Sequence, residues 1–435
     1  MAGDDAGASR AEGAEFDPFS PEYSVSHARE VNRRLRGEPV AHSACHGGFW
    51  PLTKHADVLE GFRHDGKELS ARHETAEDGT VLGGVVLPPM STHLGMMEQD
   101  PPFYPPVRRA LTPLFARREM AARRARLDEL AGALLDRRIA SGRVEMMDDL
   151  IRPLAGIATL ELLGLPLDGL ATFAFPVHGA KHDLTDDQPR EIWIALKAAI
   201  AAELDARRDD ARGDLIDTIV NLQVLGRPVS RQFAIDTVFI LLIGGVETVT
   251  GAFAGAVDHL DRHHDHRSRL IQHPELLTTA FDEYVRYITP TTQNARTALT
   301  DFELAGSQIR RGDRVFLNLL SANHDEREFT APEEVVLDRS PNRHLSFGHG
   351  LHRCIGEHFA REIWTSMMSE ILTRIPDYEL DRAGVRPIEQ VGLNNGFQSM
   401  PATFSPGGPL QRFEQMVHDV ERALASLDPV TPGQA

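Results

Sequence analysis

The chain has 435 residues, 41% of them hydrophobic, and a formal net charge of −18. That length and apolar content suffice for a large buried core, while the acidity argues against nucleic acid or an anionic membrane surface as a partner. With only two cysteines, Cys45 and Cys354, and no apolar run near the roughly 20 residues of a bilayer span, the sequence reads as a soluble, cytoplasmic protein with reduced thiols.

In chain order, Met1–Glu15 is rich in Ala, Gly, Asp and Ser and has no apolar centre, which predicts a disordered tail and not a signal peptide. Cys45, in Ala44-Cys45-His46-Gly47-Gly48, reads as a structural thiol. Phe49–Leu52 has the apolar, turn-bounded character of a strand. Thr80–Met97 carries no charged side chain apart from His93, and its Val81, Leu82, Val85, Val86, Leu87, Met90, Met96 and Met97 describe an apolar, adaptable lid. Arg108, Arg109, Arg117, Arg118, Arg123, Arg124 and Arg126 follow, with Glu119 the only acid among them. Such a basic island on an acidic chain is either a docking face for an acidic partner or a solvated helix surface.

Helical periodicity then dominates, over Arg123–Leu135, Ile192–Arg208 and Arg231–His263, the last capped by Ser230. Within it, Gly244-Gly245-Val246-Glu247-Thr248 sets two glycines inside a helix, a cost of about 1 kcal/mol each relative to Ala that calls for a reason. His259 and His263 have the i, i+4 spacing of a zinc pair, but without a flanking Glu motif or cysteine they read, with His264 and His266, as a solvated helix end. Glu283 and Arg286, at i and i+3, read on their own as a surface salt bridge. Arg314–Leu319 and Gly396–Phe404 are strand-like. Ser405-Pro406-Gly407-Gly408-Pro409 breaks the chain, and beyond it Phe413, Met416, Val417, Val420, Leu424 and Leu427 share a helical face. The fold expected is mainly α with a minor β region: a tail over 1–15, one domain over 16–404, and a linker, amphipathic helix and tail over 405–435.

The chemistry-bearing stretch is Phe347-Gly348-His349-Gly350-Leu351-His352-Arg353-Cys354-Ile355-Gly356. Its glycines let the backbone turn tightly beneath a flat ligand. The helical pattern from Glu357 onward puts Cys354 at a helix N-terminus, where free amides lower a thiol's pKa and favour the thiolate. Here the chain resembles the cytochrome P-450 family, whose ligand loop has the form Phe-Gly-x-Gly-x-His-x-Cys-x-Gly, with every fixed position filled. The likeness spans Phe16 to Phe404. It is strongest toward the bacterial camphor hydroxylase branch, through this loop, the doubled glycine at 244–245 and Asp100-Pro101-Pro102 ahead of Arg108. It implies the family's fold, a triangular helical prism with small sheets, and haem b as cofactor. Cys354 would be the thiolate ligand of the iron, an arrangement that promotes O–O cleavage.

The same resemblance implies that Gly244 and Gly245 open a groove for dioxygen and that Glu247 and Thr248 deliver protons. It assigns Arg108, Arg296 and His352 to the haem propionates and places Tyr104, Phe347, Gly348 and Gly356 against the cofactor. Glu283, Arg286 and Arg339 become a structural lock. Val86, Leu87, Ile288, Thr291, Thr292, Leu393 and Asn394 fall in the substrate pocket, with Gln293 beside them. The implied reaction inserts one oxygen atom of O2 into a C–H bond of a largely apolar small molecule, terpenoid or polyketide-like. Electrons would come from NAD(P)H through a flavoprotein reductase and a two-iron two-sulfur ferredoxin, the chain after Phe404 being too short for a reductase domain. Departures from the pattern are Tyr104 where His or Gln is common, Asn294 where the camphor branch has an acid, Glu247 in place of Asp, an extra residue between Arg286 and Arg296, and the helix after Arg412. Ring coupling or desaturation would use identical motifs, whereas a non-catalytic haem sensor has no need of the acid–alcohol pair.

Overall fold

The computed structural model describes residues 16–24, 27–75, 81–174, 187–207, 211–388 and 392–425. The tail expected over 1–15 lies outside them, as do Thr80, Arg208 and Leu427.

Six strands bear on the site: β1 (Phe49–Leu52), β2 (Leu69–Ser70), β3 (His73–Thr75), β4 (Val81–Gly83), β5 (Gln293–Ala298) and β6 (Arg314–Asn318). Four of them form one sheet in the order β1-β6-β5-β2, with β1 parallel to β6 and the other pairings antiparallel. β3 and β4 pair separately. β1 is an edge strand, the position where Pro51, with no N–H to donate, costs the ladder nothing. The strand expected over 314–319 stops at Asn318, whose side chain accepts the Ser321 N–H at 2.9 Å and caps a short helix starting at Leu319. The expected strand 396–404 divides into Phe397–Ser399 and Pro401–Thr403, because the two halves pair with different strands on either side of the buried Met400.

The helices that matter are α1 (Tyr104–Leu111), α2 (Arg124–Ile139), α3 (Arg152–Leu163), α4 (Asp187–Ala206), α5 (Arg231–Arg262), α6 (Leu277–Ile288), α7 (Glu357–Arg374) and α8 (Glu414–Ala425). α5 starts where the Ser230 hydroxyl accepts the Phe233 N–H at 3.1 Å. By length and composition α5 is apolar enough to cross a bilayer, which corrects the reading that no run in the chain approaches that. Its Val238, Phe239, Leu242, Val246 and Val257 are fully buried in the protein core, each contributing about 1.5–3 kcal/mol there. α8 and the short turn before it pack back on α2 through Phe413, Met416 and Val420. Gly132 of α2 makes room for the Phe413 ring, from which a Cβ would lie only 2.2 Å away.

The Glu283–Arg286 pair is no surface bridge, since both side chains are 0% exposed. Glu283 accepts from Arg286 Nε and Nη2 (both 2.8 Å), the Val336 N–H (2.8 Å), Arg339 Nε (2.9 Å) and Asn342 Nδ2 (3.1 Å). Arg286 completes its donor set on the carbonyls of Asn323, Pro332 and Glu334. A charge buried this deeply persists only when it is fully partnered. Asn323 then ties α6 to the Cys354 loop: its Nδ2 reaches Thr289 Oγ1 (2.9 Å) and Ser346 Oγ (2.7 Å), and its Oδ1 accepts the Leu345 N–H (2.7 Å).

Candidate active site

A cavity of about 260 Å³ lies between the Cys354 loop and α5, with Phe347, Gly348, Cys354 and Gly356 on one wall and Gly244, Gly245, Thr248 and Ala252 on another. Gly348 and Gly350 take φ of +66° and +69°, a backbone region that side chains with a Cβ disfavour. The turn is closed by the Cys354 N–H on the Phe347 carbonyl at 2.8 Å. The Cys354 side chain is accessible from the cavity. Burial pushes its thiol up from the ordinary range, against the Gly356 N–H, which favours the thiolate. The helix N-terminus therefore does not by itself give the depressed pKa expected from local position. A coordinated metal would, because it deprotonates a thiol outright.

The residues expected at the propionates separate into two groups. Arg108 reaches the cavity and pairs with no carboxylate among the described residues; its Nη1 lies 3.5 Å from the hydroxyl of Tyr104, which also lines the cavity. Arg296 and His352 reach it too, but both are committed to Asp65, a residue the sequence did not single out. Arg296 grips its carboxylate through Nε (2.8 Å) and Nη2 (3.0 Å) and gives Nη1 to the Ala295 carbonyl. His352 sets Nδ1 on Asp65 (2.7 Å) and Nε2 on the Gln99 carbonyl (2.9 Å). Burial opposes ionisation of Asp65, but Arg296 and His352 outweigh it and hold the carboxyl well below the ordinary range. Both ring nitrogens of His352 are thus engaged, on Asp65 and on the Gln99 carbonyl, at the cavity edge.

On α5 the two glycines have different reasons. A Cβ on Gly245 would lie 2.7 Å from Thr159 Oγ1 of α3, so that glycine permits helix packing; a Cβ on Gly244 meets nothing within 4 Å and would project into open space. The Thr248 hydroxyl donates to the Gly244 carbonyl at 2.8 Å. Glu247 accepts from Asn394 Nδ2 at 2.8 Å, and burial pushes its carboxyl up to about 8 despite that bond. At neutral pH it is therefore an un-ionised acid with a proton to give. Because this native value exceeds the ordinary 4.5, the folded chain binds more protons than the unfolded one between the two. Stability from this group is thus lost as pH rises through that window. The unfolding free energy of wild type minus that of Glu247→Gln should decline from pH 4.5 to pH 8 in denaturant titrations; a flat difference would mean a solvated carboxyl.

Of the seven residues expected in the substrate pocket, Thr291 alone lines the cavity. Asn394 turns to Glu247 instead. Thr292 donates to the Gly392 carbonyl at 2.7 Å, Leu393 donates no side chain to the wall, and Ile288 fills the space above Gly255 of α5. Val86 and Leu87 are buried where the lid is pinned to the sheet, with Arg314 on the Gly84 and Val86 carbonyls (2.9 and 2.8 Å) and the Ala295 N–H on Val85 (2.7 Å). Among its described residues the lid meets the cavity through Met96 and Met97, beside Leu162, Leu163, Ile240 and Asn294. Neither Leu162 nor Leu163 carried a signal separating it from an ordinary core leucine.

Two other readings change as well. His259 is buried, not solvated, and bonds His266 across 3.0 Å. In the arginine island, Arg124 pairs with Asp128 and Glu362 and Arg126 with Glu161, leaving Arg109, Arg117 and Arg118 as its exposed cations without a carboxylate partner among the described residues.

A cysteine loop facing a glycine-bearing helix across a shared cavity, on this fold, is the arrangement of a haem-thiolate enzyme. The sequence matches the cytochrome P-450 family model over residues 256–376. It is 30% identical over 321 residues to the polyketide biosynthesis cytochrome P-450 PksS of Bacillus subtilis strain 168, covering 71% of this chain and 78% of that one. It is 28% identical over 396 residues to the steroid C26-monooxygenase of Mycolicibacterium smegmatis, covering 89% and 95%. The solved structure of PksS superposes with a TM-score of 0.77 at 26% identity over 90% of this chain and all of that one. The chain belongs to the cytochrome P-450 family; it is a monooxygenase-class oxidoreductase, and its cofactor is haem b.

Proposed function

We propose that haem b occupies this cavity with its iron on Cys354 Sγ, and that the enzyme inserts oxygen from O2 into a C–H bond of a largely apolar small molecule. The observation that carries the reading is one cavity shared by the Cys354 side chain, the Gly244–Thr248 face of α5 and Arg108, a cation with no carboxylate partner among the described residues. The donor set fits the cofactor: one thiol for the iron, apolar walls for the macrocycle, and Arg108 with the spare N–H groups of Arg296 for its carboxylates. Once bound, haem supplies the iron chemistry that reduces dioxygen and oxidises substrate. The chain's own residues hold and move protons. Glu247, kept un-ionised, is the proton source, and the Thr248 hydroxyl, poised on the Gly244 carbonyl, relays to the cavity. Glu283, Arg286 and Arg339 hold the thiol loop in place without touching it.

Thr248→Ala tests the relay. NADH consumption should stay within about twofold while the fraction appearing as product falls at least about tenfold, the balance released as hydrogen peroxide. Product yield equal to wild type per NADH would overturn the role.

Met96, Met97, Leu162, Leu163, Ile240 and Leu241 against Thr291 and Asn294 support a substrate with a hydrocarbon body and a single carbonyl or hydroxyl handle. The polyketide, steroid and linalool oxidations named for relatives suit the same description. Ring coupling or desaturation of such a molecule is the second reading, separable by product analysis. Electrons would arrive from a reductase through an acidic two-iron two-sulfur ferredoxin, the exposed Arg109, Arg117 and Arg118 supplying the positive face against a −18 chain. Arg109→Glu with Arg118→Glu should slow reduction by ferredoxin at least about tenfold at low salt, with the difference shrinking as salt rises. Equal stopped-flow rates would remove this docking face.

A further inference from the structure

The lid loop holds a second cluster of chemistry-bearing side chains that the oxidation does not use. His73 on β3, His93 in the loop after β4 and Glu98 at that loop's end bring their ligand atoms within 4.8 Å of one another. The His73 and Glu98 side chains are each only 2% exposed, with His73 Nδ1 at 3.4 Å from Glu98 Oε2. That separation is beyond a good hydrogen bond, and Nδ1 is left buried without a hydrogen-bond partner, a state that costs about 1–3 kcal/mol. The same separation has a natural reading. Zinc bonds of about 2.1 Å to nitrogen and oxygen, set at the tetrahedral angle, hold two ligand atoms about 3.4 Å apart.

The surroundings prepare all three groups. Glu98 Oε2 accepts the Leu94 N–H at 2.8 Å, which leaves that oxygen a lone pair. Gly84, at φ +76°, admits the carboxylate where a Cβ would stand 2.8 Å from Oε1. The His93 ring lies tilted by 37° against that of His73, with centroids 3.9 Å apart. Its carbonyl accepts from Lys197 Nζ of α4 at 2.8 Å, and Lys197 pairs in turn with Asp236 of α5 at 2.7 Å. Gly95 seats the loop so closely on α5 that a Cβ would lie 2.4 Å from the Asp236 main chain.

We propose that His73, His93 and Glu98 form a binding site for a divalent cation of the zinc class, with solvent in the fourth position, fastening the lid loop to β3. Two imidazoles and one carboxylate suit zinc and its transition-metal neighbours; calcium and magnesium call for oxygen ligands.

The test titrates zinc chloride into chelator-treated, haem-loaded enzyme by calorimetry and reads the coordination sphere at the zinc X-ray edge, which iron does not obscure. One zinc per chain is expected, with two imidazole nitrogens and carboxylate oxygen at about 2.0–2.2 Å. His93→Ala alters an exposed loop residue and should weaken binding by more than the roughly 10–100-fold typical of losing an outer partner. His263→Ala, in the separate histidine cluster, should leave it unchanged. Zinc bound equally well by His93→Ala, a coordination sphere with one imidazole or none, or binding lost in His263→Ala would each overturn the site. So would calcium or magnesium binding there with equal affinity.

Discussion

Cys354→Ser should give a folded chain whose turnover falls at least about 100-fold, a barrier raised by about 2.7 kcal/mol, and whose reduced carbon monoxide complex loses the thiolate band. The fold should survive, because the loop is held by main-chain groups that serine keeps: the Cys354 N–H on the Phe347 carbonyl, the positive φ of Gly348 and Gly350, and the Asn323 bonds to Leu345 and Ser346. The chemistry should not survive. Burial already disfavours the anion of the thiol, and an alcohol, far less acidic, is a poorer anionic donor still to a metal in this apolar setting. The measurement separates ligand from scaffold. Thermal melting near the wild-type midpoint with the band gone is the expected pair of results. A variant that kept both band and turnover would shift the ligand elsewhere, and Cys45 is the only other thiol in the sequence.

That loop was legible because everything it needs is contiguous: two turn glycines, the thiol and a helix start within ten residues of sequence. The long helix was legible for a related reason, its apolar period and Ser230 cap being local. What the sequence hid are partnerships over long separations. Asp65 meets Arg296 and His352 from 231 and 287 residues away, and nothing in Arg63-His64-Asp65-Gly66 marks it as other than a loop acid. Asn394, assigned to substrate, is instead the partner of Glu247 across 147 residues, since an amide beside a pocket is indistinguishable in sequence from one beside a buried acid. The local argument about the Cys354 thiol erred by weighing the helix N-terminus and not the desolvation around it. Composition marks the lid as apolar but does not show its partners: Arg314 on the Gly84 and Val86 carbonyls and the Ala295 N–H on the Val85 carbonyl pin its first half to the sheet, while Met96 and Met97 reach the cavity.

Glu283→Ala should cost about 3–5 kcal/mol of stability, the usual penalty for removing one partner of a buried ion pair, and should yield protein depleted of haem. Arg286 makes five hydrogen bonds, two of them to this carboxylate, at 0% exposure. Deleting the acid leaves two guanidinium donors in the interior with no acceptor, together with the Val336 N–H, Arg339 Nε and Asn342 Nδ2. Those last three belong to the segment that leads into Ser346 and the thiol loop, so the damage propagates to the cofactor wall while the helical body stays intact. Removing both charges should hurt less than the sum of the single losses, because in Glu283→Ala with Arg286→Ala the Arg286 guanidinium is no longer stranded in the interior and only Arg339 loses its charged partner. Denaturant midpoints for the two single variants and the double, read beside haem content, make the comparison. A Glu283→Ala loss below about 1 kcal/mol, the range of an exposed pair, with haem content unchanged, would mean that the carboxylate is reached by water and that the loop is held by its own turns alone.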